Sequence, residues 1–509
     1  MTPEQMTRIA NALWVAFASI VAVSAAIGAQ EPRVFNGATP ASWIAPPGVT
    51  GDSFTVFHAR RTFELATKPP RFVVHVSADN RYRLYVNGQD VAYLYAQVSS
   101  GPQRSDVTHW RYETVDLAPH LRRGRNVIAA LVWNWGAARP VAQFSHRTGF
   151  LLQGDSPVEA ALVNTGTGWK VLRDLAYAPI VITTASMGNY YAAAPGDSID
   201  GSRYPWGWEN SNYVDNAWSD AVVVGRLQLR AMAPGGYGEV SGWQLEPRSI
   251  PAMEERPQLL ARVRRATGIK IDDEQAFLHG TYEWIPARTT ATILFDQSVT
   301  TNAYPVLMTN GGAGSTVRLT YAEALVDAKG QKGNRNEIEG RTVHGVRDVF
   351  LPDGGEHHDF QTLYWRSFRY IQMDVTTGDN PLGVSLYGIF TAYPFEGRGR
   401  FASDLPWLAD MWRMNWNGAR IGAFETYMDT PYWEQLQYIG DTRIQSLISL
   451  YVAGDDRLMR QAIEQFDYSR IPEGLTASRY PSALTQIIPP FSLIYVAMVH
   501  DYFMHRDDP

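Results

Sequence analysis

The chain has 509 residues, 45% of them hydrophobic and none of them cysteine, with a net charge of −6. That length supports about three domains with buried cores and argues against disorder. The missing cysteines exclude disulfides, thiolate metal sites and thiol nucleophiles, and the acidic balance argues against a nucleic-acid partner.

Residues 9–29 are nearly all apolar or small, follow Arg8 and end before Gln30-Glu31-Pro32. They read as a secretory signal peptide, which places the mature chain outside the cytoplasm, secreted or periplasmic. The alternative is an uncleaved anchor, because about 20 apolar residues can span a bilayer. No later segment is expected to have an integral membrane role.

Residues 30–245 read as a β-sandwich or jelly-roll region. Phe72–Ser77, Tyr82–Val86 and Asn126–Trp133 have strand composition, and Asn87-Gly88 is a strong hairpin signal. Asp79-Asn80 reads as a turn between two strands. Tyr204-Pro-Trp-Gly-Trp208 and Asp215-Asn-Ala-Trp218 read as aromatic plugs. The Pro- and charge-rich run from Glu246 to Pro257 marks a boundary, and residues 246–400 form a second β-sandwich domain. Thr292–Phe295, Thr316–Thr320 and Phe368–Met373 are its clearest strands, with a hairpin turn at Asn310-Gly-Gly-Ala-Gly314. Glu356-His-His-Asp359 does not read as a metal site, because adjacent strand residues point to opposite faces.

From residue 401 the apolar period becomes helical. Leu405, Leu408, Met411 and Trp412 mark one helix; Leu436, Ile439, Leu447 and Leu450 mark a second, closed by Gly454. Asp455 is placed to cap a third, carrying Leu458, Met459, Ala462, Ile463 and Phe466, and a fourth starts near Pro489-Pro490.

The chemistry concentrates in Glu425–Gln445, where Glu425, Asp429, Glu434 and Asp441 are interleaved with Tyr427, Tyr432, Trp433 and Tyr438. A helix starting at Thr430-Pro431 would put Glu434, Tyr438, Asp441 and Gln445 on one face, unless Gly440 delays its start. A carboxyl among aromatic rings tends to keep its proton, whereas a helix N-terminus favours its charge. A protonated acid beside an ionised partner suits glycosidic bond cleavage. The plain alternative is a capped amphipathic helix with surface charges.

Asp429-Thr-Pro431, Glu434 and Gly440-Asp441 resemble the signature of the α-L-rhamnosidases, glycoside hydrolase family 78. Trp433 stands where many members have Arg, and Tyr438 where many have Trp. The resemblance extends to Ser77–Gly88, Tyr321-Ala-Glu323, Gly333–Asn336, Trp365–Tyr370 and Gly474–Pro481. It implies β-sandwich or jelly-roll domains followed, over 401–509, by part of an (α/α)₆ catalytic barrel. It makes Glu434 the general acid, and Asp429 and Asp441 ligands of rhamnose hydroxyls; Trp433 and Tyr438 are further substrate-binding candidates. No cofactor is required, although the resemblance offers Asp79 and Asn80 as calcium ligands in the N-terminal β-domain.

The implied substrate is a rhamnose-containing glycoside, oligosaccharide or polysaccharide, cleaved with inversion. Inversion needs a second carboxylate roughly 6.5–9.5 Å from the acid. The family's base lies late in a twelve-helix barrel, and no position of this chain corresponds to it. About four helices are read here, so a truncated or split rhamnosidase, with an apolar helix face left open, remains in view. So does a secreted carbohydrate-binding protein without catalysis.

Overall fold

The computed structural model describes residues 38–51, 53–88, 97–230 and 242–506. The apolar segment 9–29 lies outside them, as does most of the connection after Asn87-Gly88.

The first layer pair is a β-sandwich. One sheet runs in the order Val222–Arg226, Ser42–Ala45, Gly149–Gly154, Val73–Asp79, Trp110–Asp116, Leu245–Pro247; the other runs Ser219–Asp220, Lys170–Asp174, Thr55–Leu65, Gly124–Asn134, Arg81–Val86, Gln97–Gly101. Ile44, Val74, Val76, Phe150 and Leu152 of one sheet meet Phe57, Tyr82, Leu84 and Val132 of the other in one apolar core. Asp79-Asn80 therefore joins two strands, but strands of opposite sheets rather than a paired hairpin. The arm after Asn87 returns as Gln97–Gly101, with Tyr82 opposite Gly101 and Tyr85 opposite Gln97. Asn87 and Gly88 turn through positive φ (62° and 39°), but the connection is longer than a two-residue hairpin.

Gly124–Asn134 shows why a third layer forms. Its Ile128, Ala130 and Val132 enter the sandwich core. The alternate residues Ala129, Leu131 and Trp133 join a different core with Ile293, Val306 and Leu307. A strand apolar on both faces needs a layer on each side. That further layer is an eleven-stranded sheet built on the long strand Thr290–Gly311, flanked by Arg366–Thr376 and Leu382–Ala392. Tyr177–Ile180 and Gly196–Asp200 pair into this sheet, alongside Val346–Leu351. A hairpin from before the Glu246–Pro257 run is thus part of this third sheet. The expected turn at Asn310–Gly314 is present, with positive φ at Gly311, Gly312 and Gly314. It is not a hairpin: Arg366–Thr376 lies between its two arms.

The aromatic plugs sit as expected. Trp208 and Trp218 are buried in the core between the layers, and Arg60 binds the Trp208 carbonyl and Asp215. His358 hydrogen-bonds Asp353 and stacks on Trp206 rather than converging with Glu356 and His357.

Four long helices follow: α1 (Pro406–Ile421), α2 (Ile439–Val452), α3 (Arg457–Tyr468) and α4 (Pro489–His505). Three details differ from the sequence reading. Leu405 precedes α1 as its cap residue, Leu436 lies in the loop before α2, and α3 is capped at Asp456. The Asp455 carboxylate still accepts the Arg457 N–H. Leu458, Met459, Ala462 and Phe466 of α3 are buried with Ile439, Leu450 and Met498. The opposite side is open: Ile444 is 64% exposed, Tyr451 67%, Leu493 75% and Val496 65%. Contiguous exposed apolar residues of this size are unusual on a free surface. No helix among the described residues is long and apolar enough to cross a membrane.

Candidate active site

The acidic segment is a loop, not a helix. The Asp429 N–H donates to the Leu436 carbonyl and the Leu436 N–H donates to Asp429 Oδ1, both at 2.9 Å. Between them, the Gln435 N–H closes onto the Thr430 carbonyl and the Gln435 side chain donates to the Pro431 carbonyl. Gln435 takes φ 57°, a left-handed conformation that no helix interior accepts. Pro431 therefore serves a turn, where its fixed φ is equally suited. The helix waits until Ile439, and Gly440 lies inside its first turn rather than breaking it. The shared helical face expected for Glu434, Tyr438, Asp441 and Gln445 does not exist. The loop brings three of these side chains into one region by another route.

Glu434 is half-buried and its Oε2 accepts the Tyr438 hydroxyl at 3.0 Å. Asp441 is exposed in the first turn of α2, where the helix dipole favours a negative charge. Asp429 is partly buried. Burial pushes its carboxyl up to about 7; the Leu436 N–H pulls it down, and the charges of Glu434 and Asp441 push it further up. Asp429 thus feels the charges of Glu434 and Asp441 and is raised toward neutral pH.

The fourth carboxylate has a different setting. Glu425 is buried and clamped by Arg81, whose Nη1 and Nη2 donate to its two oxygens at 3.0 and 2.6 Å. The Arg104 N–H adds a third bond at 2.9 Å. Burial alone would raise this carboxyl, but the charge and hydrogen bonds of Arg81 outweigh it and hold Glu425 below its ordinary value. Arg104 also donates to the Gln435 carbonyl and to Tyr364. Two arginines of the sandwich region therefore anchor the loop from below.

Trp433 is half-buried. Its indole N–H donates to Glu323 at 3.2 Å, Lys332 lies 5.2 Å from its ring centroid, and Lys332 also bonds Glu323 at 3.0 Å. The loops around Glu323 and Lys332 therefore border Trp433. Tyr432 points away, its hydroxyl donating to the Tyr321 carbonyl and accepting the Val346 N–H.

Residues that the sequence reading did not single out complete the rim. The Ala192 N–H donates to the Trp433 carbonyl at 2.8 Å. Arg479 Nη1 donates to the hydroxyls of Tyr438 at 2.7 Å and Tyr190 at 3.4 Å. Only Arg479 left a trace in the sequence, inside Gly474–Pro481.

Asp79 and Asn80 do not fit a calcium site. Asp79 is buried, and its Oδ1 accepts from the side chains of Asn80, Asn134 and Ser145 at 2.8, 3.2 and 2.8 Å. Its Oδ2 accepts from the His146 and Arg147 N–H groups and the Trp243 indole at 2.6, 3.1 and 3.0 Å. Asn80 Oδ1 is occupied by the Trp135 N–H. A calcium ion needs six to eight oxygen lone pairs turned toward it; here protein donors surround both oxygens. Among the described residues, no group of three or more metal-ligating side chains is found.

Stacked β-layers lead into helices, with an acid cluster where the two meet. Residues 396–509 match the family model described as the bacterial alpha-L-rhamnosidase 6 hairpin glycosidase domain. The fold is similar to a GH78 family rhamnosidase of Bacillus sp. GL1, with TM-score 0.75 and 16% identity over 92% of this chain and 67% of that one. It is also similar to the α-L-rhamnosidase from Dictyoglumus thermophilum, with TM-score 0.64 and 15% identity over 91% of this chain and 48% of that one. For the Streptomyces avermitilis α-L-rhamnosidase complexed with L-rhamnose, the TM-score is 0.58 at 17% identity, over 86% of this chain and 38% of that one. The chain thus spans about two thirds of the first relative's length and half or less of the other two. No curated protein sequence matches it.

Proposed function

We propose that this chain carries the acid half of an exported α-L-rhamnosidase that removes terminal α-L-rhamnose from glycosides, oligosaccharides or polysaccharides. The observation that carries the reading is the cluster of Asp429, Glu434 and Asp441 at the mouth of the loop, with no arginine or lysine bound to any of them in the described structure. Glu434 donates its proton to the glycosidic oxygen, and the C–O bond breaks with its electron pair passing to that oxygen. Asp429 and Asp441 bind rhamnose hydroxyls, Asp429 as a donor while protonated and Asp441 as an acceptor. Tyr438 and the exposed part of Trp433 offer aromatic surface to the sugar.

An inverting reaction also needs a carboxylate that activates water. Glu425 cannot serve, because Arg81 neutralises it inside the fold. We assign the base to a carboxylate other than these four. Export is read from residues 9–29 and places the reaction in the periplasm or outside the cell.

The test is hydrolysis of 4-nitrophenyl α-L-rhamnopyranoside by the chain beside Glu434→Gln. Turnover that disappears in the variant supports the assignment. A folded chain that binds rhamnose without turnover is a rhamnosidase acid site lacking its base, and a folded chain that neither binds nor hydrolyses a rhamnoside overturns the reading.

A further inference from the structure

We propose that Arg479, acting through Tyr438, is a positioning residue for the acid: it fixes which oxygen of Glu434 is free to carry the proton. The proposal deepens the rhamnosidase reading and rests on it. The geometry is a chain of three groups. The Arg479 guanidinium donates to the Tyr438 hydroxyl at 2.7 Å, and that hydroxyl donates to Glu434 Oε2 at 3.0 Å. With Oε2 occupied as an acceptor, Oε1 is left to hold the proton and face the leaving oxygen.

Three observations make Arg479 more than a surface cation. It is 7% exposed and makes no ion pair with a carboxylate among the described residues; its partners are the phenols of Tyr438 and Tyr190. A buried guanidinium in a purely structural role is usually matched by a carboxylate, because burying the charge alone is costly. Second, its backbone is fixed to the acid's loop. Tyr438 and Arg479 form an antiparallel bridge, the Ile439 N–H bonds the Ser478 carbonyl at 3.0 Å, and the Tyr480 N–H bonds the Gln437 carbonyl at 3.1 Å. The guanidinium carbon also lies 5.5 Å from the Tyr438 ring centroid. Third, Tyr438 stays a donor. Burial, then the pull of Arg479 and the push of Glu434, leave its hydroxyl at about 12, far above neutral pH. A phenol that accepts a cationic N–H is polarised into a stronger donor toward the carboxylate.

Tyr190, on the loop that carries Ala192, supplies the second phenol to Arg479. The N-terminal half of the chain thereby reaches the acid through Arg479.

The test compares Arg479→Gln, Arg479→Lys and Tyr438→Phe in the full chain on two substrates. The 4-nitrophenyl α-L-rhamnoside has a leaving group that needs little protonation; methyl α-L-rhamnoside needs nearly full protonation. A displaced acid lowers kcat for the methyl glycoside by on the order of tenfold more than for the aryl glycoside, with KM little changed. Arg479→Lys restores part of the loss, because the charge and one donor remain. Equal losses on both substrates, or a change confined to KM, overturn the proposal. The crystal structure of Arg479→Gln gives an answer without turnover. The Glu434–Tyr438 hydrogen bond is expected to open beyond about 3.5 Å; if it persists, Arg479 does not position the acid. Should the parent chain hydrolyse neither substrate, the turnover comparison reports the absent base rather than Arg479, rhamnose binding decides the rhamnosidase reading, and the structure still decides the Arg479 linkage on its own.

Discussion

Glu425 and Asp429 stand four residues apart, and the fold treats them as opposites. Glu425 is buried against Arg81 and the Arg104 N–H, and stays charged. Asp429 is less buried but has only backbone N–H groups to set against Glu434 and Asp441, and its carboxyl moves up to about 7. Burial alone does not sort the two: it pushes both upward, and the deeper residue is the lower one. What separates them is a cation. Where the sandwich supplies an arginine, the acid becomes an anchor; one turn later no cation arrives, and the acids are left free to exchange protons with a ligand.

The largest way to break this comparison is to remove the anchor's charge. Glu425→Gln leaves Arg81 buried with no carboxylate and is expected to cost about 3–5 kcal/mol of folding stability. Chemical denaturation of the variant measures it. A loss below about 1 kcal/mol would mean that water reaches Arg81 and that the pair is not an anchor.

The reverse pattern is expected on the other side. Glu434 is half-buried and accepts a hydrogen bond from the Tyr438 hydroxyl, so Glu434→Gln should change stability little. It should lower hydrolysis of a rhamnoside by on the order of 10²–10⁴-fold, the contribution of a positioned acid. A variant that melts early instead would move Glu434 into the anchor class.

Tyr432→Phe probes the floor beneath the loop. It removes a hydroxyl that donates to the Tyr321 carbonyl at 2.8 Å and accepts the Val346 N–H at 3.0 Å. Two buried backbone groups then lose a partner, at about 1–3 kcal/mol. Thermal melting with and without substrate would separate that loss from any change in the acid cluster.

Much of this arrangement was legible in the chain itself. The helical period after residue 401, the strand-and-turn composition before it, and the motif from Asp429 to Asp441 give the β-then-helical order and the stretch that carries the acids. What failed was local. Thr430-Pro431 looks like a helix start because Pro suits both a first helical turn and a β-turn; only the left-handed Gln435 distinguishes them, and Gln carries no such signature. Asp79-Asn80 reads as a turn or a ligand pair because its six donors come from residues up to 164 positions away. For the same reason the partners Arg81, Tyr190 and Arg479 could not be read: Arg81 meets Glu425 across 344 residues, Tyr190 meets Arg479 across 289, and Arg479 meets Tyr438 across 41. Periodicity reports which face is buried, not which distant cation lies opposite it.

The smallest expected effect is the most specific to the free side of the comparison. Asp429 has an ordinary value of 3.8 and stands at about 7 in the folded chain. A carboxyl raised on folding takes up a proton that the unfolded chain releases, so its contribution is fully present below the unfolded value. That contribution is lost as pH rises through about 7. Asp429→Asn keeps the acceptor for the Leu436 N–H at the same place but cannot ionise. Relative to the variant, the parent should therefore lose melting temperature between pH 5 and 8. Asp79 and Asp359, raised by burial to about 6, and Asp197, raised to about 7, add the same kind of slope. They are present in both proteins and cancel in the difference. Parallel melting curves across that range would mean that Asp429 stays ionised, as Glu425 does, and that the absence of a nearby arginine is not what divides the two acids.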